Sequence, residues 1–477
     1  MYKTRAFRLI WIFIEKVGLI ALSILSFWII ARYLTPSEIG TAVIILSVSE
    51  LIALFYTTIL TSPMLKFRVI TPEENGSYFW GSLMLGSASF MLVCGIGALV
   101  LNDTAAYFML AVGALSIPIS LLGKLYICHM QRDGAYKQLA VRSLLSKVMG
   151  MSSGILLAIY GFGGWAVIGQ AVVMQLVSTV VIMFSYKLRV PFCFDGHFFY
   201  TKLIKTGWPI ALKALNWTAM NKGVEMILAA VSGSAAVGYF NVAKRVVDLP
   251  VNAITQGLNS YAIPVMSRRR DADTQLESFR TFFLSATKFS SFVVFPFFLL
   301  IAVAAEPIVL TLLGERWAES APILTVLAIA AALATSATFI PAMLIALDKS
   351  QLTVNAIFVT SIIVLIIVWL LGAEIGAMGA AVAIFTRTLL LLPYNLAVAG
   401  MLLQIPKKMY LSTFAHAFVG SGVVLLCYAT WQFTTGAFMQ TLVDVLLIGT
   451  LMGVAYLGIN FALNRNLLAE FKTFFKS

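Results

Sequence analysis

Asn221-Lys222-Gly223-Val224-Glu225 and Ala243-Lys244-Arg245-Val246-Val247-Asp248-Leu249-Pro250 flank the turn Val231-Ser232-Gly233-Ser234, and both place charge inside apolar runs. The surrounding stretch, 203–266, reads as two long helices joined at that turn. Counted back from it at ~1.5 Å per residue, Lys222 and Arg245 each fall about 15 Å deep, near the middle of a hydrocarbon slab ~30 Å thick. A charged side chain at that depth costs roughly 2.5–3.5 kcal/mol on insertion scales, so such groups face a bundle interior or a watery cavity. Local pairing recovers part of the cost: Lys222 and Glu225 are three apart, Arg245 and Asp248 likewise, and Lys244 reaches Asp248 at four. Two readings stay open. Either the pairs neutralise one another as structural staples, or the one positive charge left when three cations meet two carboxylates suits an anionic cargo.

Composition agrees with a membrane setting. Of 477 residues 60% are hydrophobic and only 11% charged, with a mean hydropathy of +0.95, whereas soluble domains carry about 25% charged residues. The net charge of +13 would suit nucleic acid only on a basic face of a soluble domain, and here Lys and Arg are scattered through short loops. No nucleic-acid partner is expected. Cys94, Cys128, Cys193 and Cys427 show no C-x-x-C spacing, and His129, His197 and His416 are equally dispersed. Neither a disulfide framework nor a metal site is predicted. Lys3, Arg5 and Arg8 precede an apolar segment as in a signal peptide, but Glu15 and Lys16 interrupt it and no A-x-A-like cleavage site follows. It reads as a retained first membrane helix.

Segments long enough to cross a bilayer occur at about 9–33, 38–65, 78–101, 105–128, 139–160, 164–186, 204–231, 236–264, 280–304, 321–347, 352–371, 376–403, 410–431 and 440–463. That makes fourteen. Basic residues should mark the cytoplasmic loops. With the N-terminus inside, the inner loops hold Lys66 and Arg68; Arg132, Lys137 and Arg142; Lys187, Arg189, Lys202 and Lys205; Arg268, Arg269 and Arg270; Lys349; and Lys407 with Lys408. The outer turns hold few. The expectation is a multi-pass protein of a bacterial inner (cytoplasmic) membrane with both termini cytoplasmic.

Internal repetition organises the spans. Pro36-Ser37-Glu38-Ile39-Gly40 is echoed by Ser234-Ala235-Ala236-Val237-Gly238, and the glycine-rich turn 161–164 by Gly372 to Gly379, each six spans later. An even offset keeps orientation, so the repeats are parallel and imply two lobes related by an axis along the membrane normal. The predicted fold is all-α and polytopic: an N-terminal lobe at 1–190 (six spans), a basic cytoplasmic linker at 191–203, a C-terminal lobe at 204–404 (six spans), and two appended spans with a cytoplasmic tail at 405–477. The lobes are expected to enclose a central cavity.

No G-x-x-x-x-G-K-[ST], H-E-x-x-H or G-x-S-x-G motif occurs, and no connection is long enough for a soluble catalytic domain. The chain reads as a non-enzyme with no bound cofactor. Glu50 and Arg387 lie mid-span and either face the cavity or seal one lobe against the other. Lys213 and Lys16 read as snorkelling cations, and Arg32 as an anchor closing the first span. The Phe-rich stretch 292–298 reads as lipid-facing filler.

Ala31-Arg32-Tyr33-Leu34-Thr35-Pro36-Ser37-Glu38-Ile39-Gly40, the 161–166 turn and Gly238 to Pro250 resemble the polysaccharide transporter family of the multidrug/oligosaccharidyl-lipid/polysaccharide exporter superfamily. The resemblance spans the chain. It implies fourteen helices in two six-helix lobes and a flippase for undecaprenyl-diphosphate-linked oligosaccharides, serving exopolysaccharide, capsule or O-antigen assembly. By the same resemblance Arg245 and Asp248 occupy family positions, and Glu225 stands where an Asp is more usual. Lys222, Lys244 and Arg245 are the candidate cations for a diphosphate headgroup. Glu50, Glu225 and Asp248 are candidate coupling carboxylates for a proton or sodium ion; Arg387, Lys213 and Arg32 rank below them. The expected partners are the lipid-linked oligosaccharide and membrane lipids, with a polymerase and glycosyltransferases as candidate protein partners. The alternative is a cation-coupled multidrug exporter of the same superfamily.

Overall fold

The computed structural model describes residues 2–67, 70–270, 276–349, 351–435 and 442–463. Among these there is no strand, and thirteen helices are long and apolar enough to cross a membrane. The chain is an all-α polytopic membrane protein. One candidate span, Leu215–Thr255, lies in a helix of 66 residues that breaks at Gly233, where φ is 82° and ψ 175°. Only glycine takes that backbone without strain, and the break falls in the predicted turn. Its two arms, counted separately, are consistent with the fourteen spans expected.

The first compact unit, Met1–Gly238, holds α1 (Tyr2–Tyr33), α2 (Pro36–Met64), α3 (Pro72–Val100), α4 (Thr104–Ala114), α5 (Ser116–Asp133), α6 (Tyr136–Ile159), α7 (Trp165–Ser185) and the first arm of α8 (Lys205–Arg270). The second, Tyr239–Ser477, holds the rest of α8 with α9 (Leu276–Val303), α10 (Ala305–Leu313), α11 (Ser320–Ala334), α12 (Ile340–Ala346), α13 (Gln351–Ile375), α14 (Ala377–Leu403), α15 (Lys407–Thr435) and α16 (Leu442–Leu463). Repetition draws the lobe limits near 190 and 204, whereas packing groups the first arm of α8 with α1 to α7. The two divisions concern different things, ancestry in one case and contact in the other.

Local chemistry sets the start of α2. The Thr35 N–H donates to the Glu38 carboxylate at 2.7 Å, the Glu38 N–H donates to Thr35 Oγ1 at 3.4 Å, and Pro36 fills the first turn, where its missing N–H is not needed. The same box, with Thr71, Pro72 and Glu74, opens α3. Leu60, Met64, Tyr78, Ile117, Leu121 and Leu125 form part of the core of the first unit. In the second, Phe279, Phe282, Phe283, Phe339 and Met343 surround Tyr410, whose ring stacks on Phe283 at 5.7 Å. The stretch 292–298, expected to face lipid, is divided instead: Phe295 and Phe298, three apart on one helix face, are buried, while Phe297 is exposed.

Within the first unit α2 and the first arm of α8 run antiparallel. Gly207 abuts the Ile59 carbonyl, Lys222 meets Glu50, Glu225 meets Ser47, and Ser234 meets Gly40, so one number rises as the other falls. The last crossing is reciprocal. A Cβ added at Gly40 would lie 1.7 Å from the Ser234 carbonyl oxygen, and one added at Gly238 would lie 2.0 Å from that of Pro36. Pro36 and Gly40 are the residues that Ser234 and Gly238 echo, so the repetition in sequence is also a repetition in packing.

Candidate functional site

Midway along that antiparallel pair, Lys222 Nζ lies 2.8 Å from Glu50 Oε2 and 3.1 Å from Glu225 Oε2. Ser47 Oγ donates to the same Glu225 oxygen at 2.5 Å. Exposure rises along the chain of contacts, from 4% for the Glu225 side chain through 18% for Lys222 to 55% for Glu50. A buried carboxylate needs a charge partner and hydrogen bonds. Glu225 has Lys222 from its own helix and Ser47 from α2, and Lys222 carries the link outward to Glu50.

The ledger of charge differs from the one drawn on spacing alone. Lys222 meets two carboxylates, so this cluster carries a formal charge of −1 when all three groups are ionised. With Glu50 counted, Lys222, Lys244 and Arg245 stand against Glu50, Glu225 and Asp248, and the surplus cation disappears from the sum. The reason is a partner 172 positions away, which no helical spacing reveals.

The remaining predicted residues fall as follows. Lys244 pairs with Asp248 four residues on, in the second unit, as the helical spacing predicts. Arg245 lies half-buried beside them. Arg387 is buried in α14, 8% exposed. Arg32 is exposed in the last turn of α1, its guanidinium 5.0 Å from the centre of the Trp28 ring, a placement that also suits a cation at a helix C-terminus. Lys213 lies on α8, and its side chain is outside the described residues. Among the described residues no group of three His, Cys, Asp or Glu is placed to hold a metal.

Sequence reasoning missed Ser47 and three further cations in the first unit. Lys147 is buried in α6 at 8% exposure, Arg142 lies half-buried in the same helix rather than in the loop assigned to it, and Lys124 is half-buried in α5. A lysine inside the apolar run at 105–128 was the available signal.

A family model described as polysaccharide biosynthesis protein matches residues 29–322. The chain belongs to this family. A succinoglycan biosynthesis transport protein of Rhizobium meliloti (strain 1021) is 24% identical over 348 residues, which cover 69% of this chain and 67% of the relative. A lipopolysaccharide biosynthesis protein of Escherichia coli (strain K12) is 21% identical over 329 residues, covering 67% and 65%. Among solved structures, a lipid II flippase in an inward closed conformation is similar with a TM-score of 0.75 at 15% identity, over 97% of this chain and 100% of that one. An inward-facing multidrug resistance transporter of the MOP superfamily gives a TM-score of 0.60 at 14% identity, over 86% and 98%. The chain thus shares its fold with a lipid II flippase and with a multidrug resistance transporter.

Proposed function

We propose that the chain is a flippase that moves an undecaprenyl-diphosphate-linked oligosaccharide across the bacterial inner membrane by alternating access, for exopolysaccharide, capsule or O-antigen assembly. Membership of a polysaccharide biosynthesis family and likeness to a named transport protein support this reading. The observation that carries it is the Glu50–Lys222–Glu225 cluster, an ionised seam kept in the middle of an apolar helix pair. Such groups are retained where a polar path runs.

The seam suggests how cargo and coupling ion are linked. At rest the two carboxylates hold Lys222. A proton or sodium ion taken up by them loosens that hold, and the ammonium becomes available to an anionic headgroup. Charge-assisted bonds of this kind strengthen in a site of low dielectric.

The test is complementation in a strain lacking its own copy of the gene. Arg245→Glu should abolish polymer export while the protein still reaches the membrane fraction. Normal polymer output from that variant would overturn the flippase. Hypersensitivity of the deletion strain to cationic dyes, with polymer unchanged, would instead favour the drug exporter.

A further inference from the structure

Residues 186–204 join α7 to α8 inside the first unit, and they form a strap fastened along its length. At its start the Tyr186 hydroxyl donates to the Asp133 carboxylate at 2.5 Å, and the Tyr186 ring stacks on His129 with centres 6.2 Å apart. In its middle Trp80 Nε1 of α3 donates to the Pro191 carbonyl at 3.2 Å. The backbones come so close there that a Cβ added at Gly76 would lie 2.7 Å from that carbonyl oxygen. Near its end the Asp195 N–H donates to Ser77 Oγ at 2.9 Å. The strap thus lies on the start of α3 and the end of α5, where four spanning helices begin or end.

Its side chains sort into two faces. From 186 to 190 the chain forms no helix, and exposure follows the period of two that an extended chain gives. Leu188 and Val190 pack on the core of the first unit, while Lys187 and Arg189 are exposed. Farther on Phe198, Phe199 and Leu203 are buried, while Phe192, Phe194, Tyr200 and Lys202 are exposed. Phe192 is 87% exposed, although its ring meets that of Trp80 at 4.6 Å.

Charge completes the pattern. Residues 186–205 hold Lys187, Arg189, Lys202 and Lys205 against one carboxylate, Asp195, which accepts from the N–H groups of His197 and Phe198. Of the acids beside the strap, Glu74 is taken up in the cap of α3 and Asp133 by Tyr186, and Glu73 stays exposed. Among the described residues no ion pair reaches the four cations. Basic loops mark the cytoplasmic side of membrane helices, aromatic rings settle at the headgroup level, and anionic phospholipids make the cytoplasmic leaflet negative. A face of Phe, Tyr, Lys and Arg at the ends of spanning helices matches that boundary in both polarity and sign.

We propose that the strap is a docking surface for anionic phospholipid. Phe192, Phe194 and Tyr200 enter the headgroup layer of the inner leaflet, and Lys187, Arg189, Lys202 and Lys205 meet its phosphates. Because the strap runs directly into α8, lipid charge then helps to set where that helix enters the bilayer. The proposal goes beyond the flippase reading and holds whatever the cargo is.

The experiment reads amide hydrogen exchange of 186–194 by mass spectrometry, with the full chain in nanodiscs of phosphatidylcholine alone or with phosphatidylglycerol added. Exchange should be about fivefold slower with phosphatidylglycerol, and added salt should shrink the difference, because exposed charges are screened. Replacing Lys187, Arg189, Lys202 and Lys205 together by Gln should abolish the difference. Phe192→Ser with Phe194→Ser should speed exchange in both lipids, and Lys408→Gln, in the second unit, should change neither. Equal exchange of the parent in the two lipids, a difference that ignores salt, or one that survives in the quadruple variant would each overturn the surface. So would protection seen in native membranes and in neither nanodisc, which would assign the face to a protein partner. The salt titration needs only the parent, so the test stands even where a variant fails to fold. No step reads export, and the outcome is therefore independent of the test of the flippase.

Discussion

Lys222 and Lys124 are both lysines inside apolar helices of the same compact unit, and they are kept in opposite ways. Lys222 has Glu225 one turn on and Glu50 across the helix pair. Lys124 has Ser120, Leu121, Ile127 and Cys128 at the positions three and four away, and no ion pair. A paired charge is part of the fold and is felt when it is removed; an unpaired one strains the fold and persists for another reason. Substitutions at the two lysines and their partners should therefore separate stability from activity, and four variants form a graded series.

The largest effect is expected at Lys222→Ala. It leaves Glu225 buried at 4% exposure with Glu50 nearby and no cation between them, and removing one partner of a buried pair costs roughly 3–5 kcal/mol. Glu50, being more than half exposed, rehydrates and holds the figure to the lower end. The melting temperature of the purified protein in detergent should fall by several degrees. An unchanged melting temperature would mean the seam contributes nothing to the fold and would erase the contrast with Lys124.

Ser47→Ala comes next. The hydroxyl donates to the buried Glu225 carboxylate at 2.5 Å, and a hydrogen bond to a charged group contributes about 2 kcal/mol. The same melt reads it, and the loss should vanish when Glu225→Gln is already present, because the charge that made the bond strong is gone. Additive losses in that double variant would place Ser47 outside the seam.

How much of this was legible in the sequence depends on distance along the chain. The spans follow from apolar runs of the right length, and the break at Gly233 from a turn between two of them. Lys222 with Glu225 and Lys244 with Asp248 could be read because helical geometry alone brings residues three and four apart together. Glu50 with Lys222 could not, since that pair exists only once α2 packs against α8. The mid-span depth of Glu50 marked it as costly but not as a partner. Arg142 was hidden by a helix boundary: assigned to a basic inner loop, it lies within α6. Lys124 was hidden by averaging, because one lysine does little to the mean hydropathy of a long apolar run. Its lack of any acid at three or four positions was the clue that separates it from Lys222, and it needs only the sequence to see.

A third variant removes the whole seam. Lys222→Met with Glu50→Gln and Glu225→Gln replaces an ion cluster by neutral side chains of similar size, and such replacements are often neutral or stabilising. Stability should return to within about 1 kcal/mol of the parent, while export in the complementation strain stays absent. Restored export would show that the seam serves only to hold α2 against α8.

The smallest change in stability is expected at Lys124→Met, and its sign sharpens the contrast most. With no ion pair to lose and a half-buried cation replaced by an apolar chain of similar length, the melt should stay within about 0.5 kcal/mol of the parent or rise. Export in the complementation strain should nonetheless fall. A loss of stability as large as that of Lys222→Ala would mean Lys124 has a structural partner after all and that its charge answers to the fold. A stable protein with export lost would mean the opposite, that this part of the first unit tolerates an unpaired charge for the sake of transport.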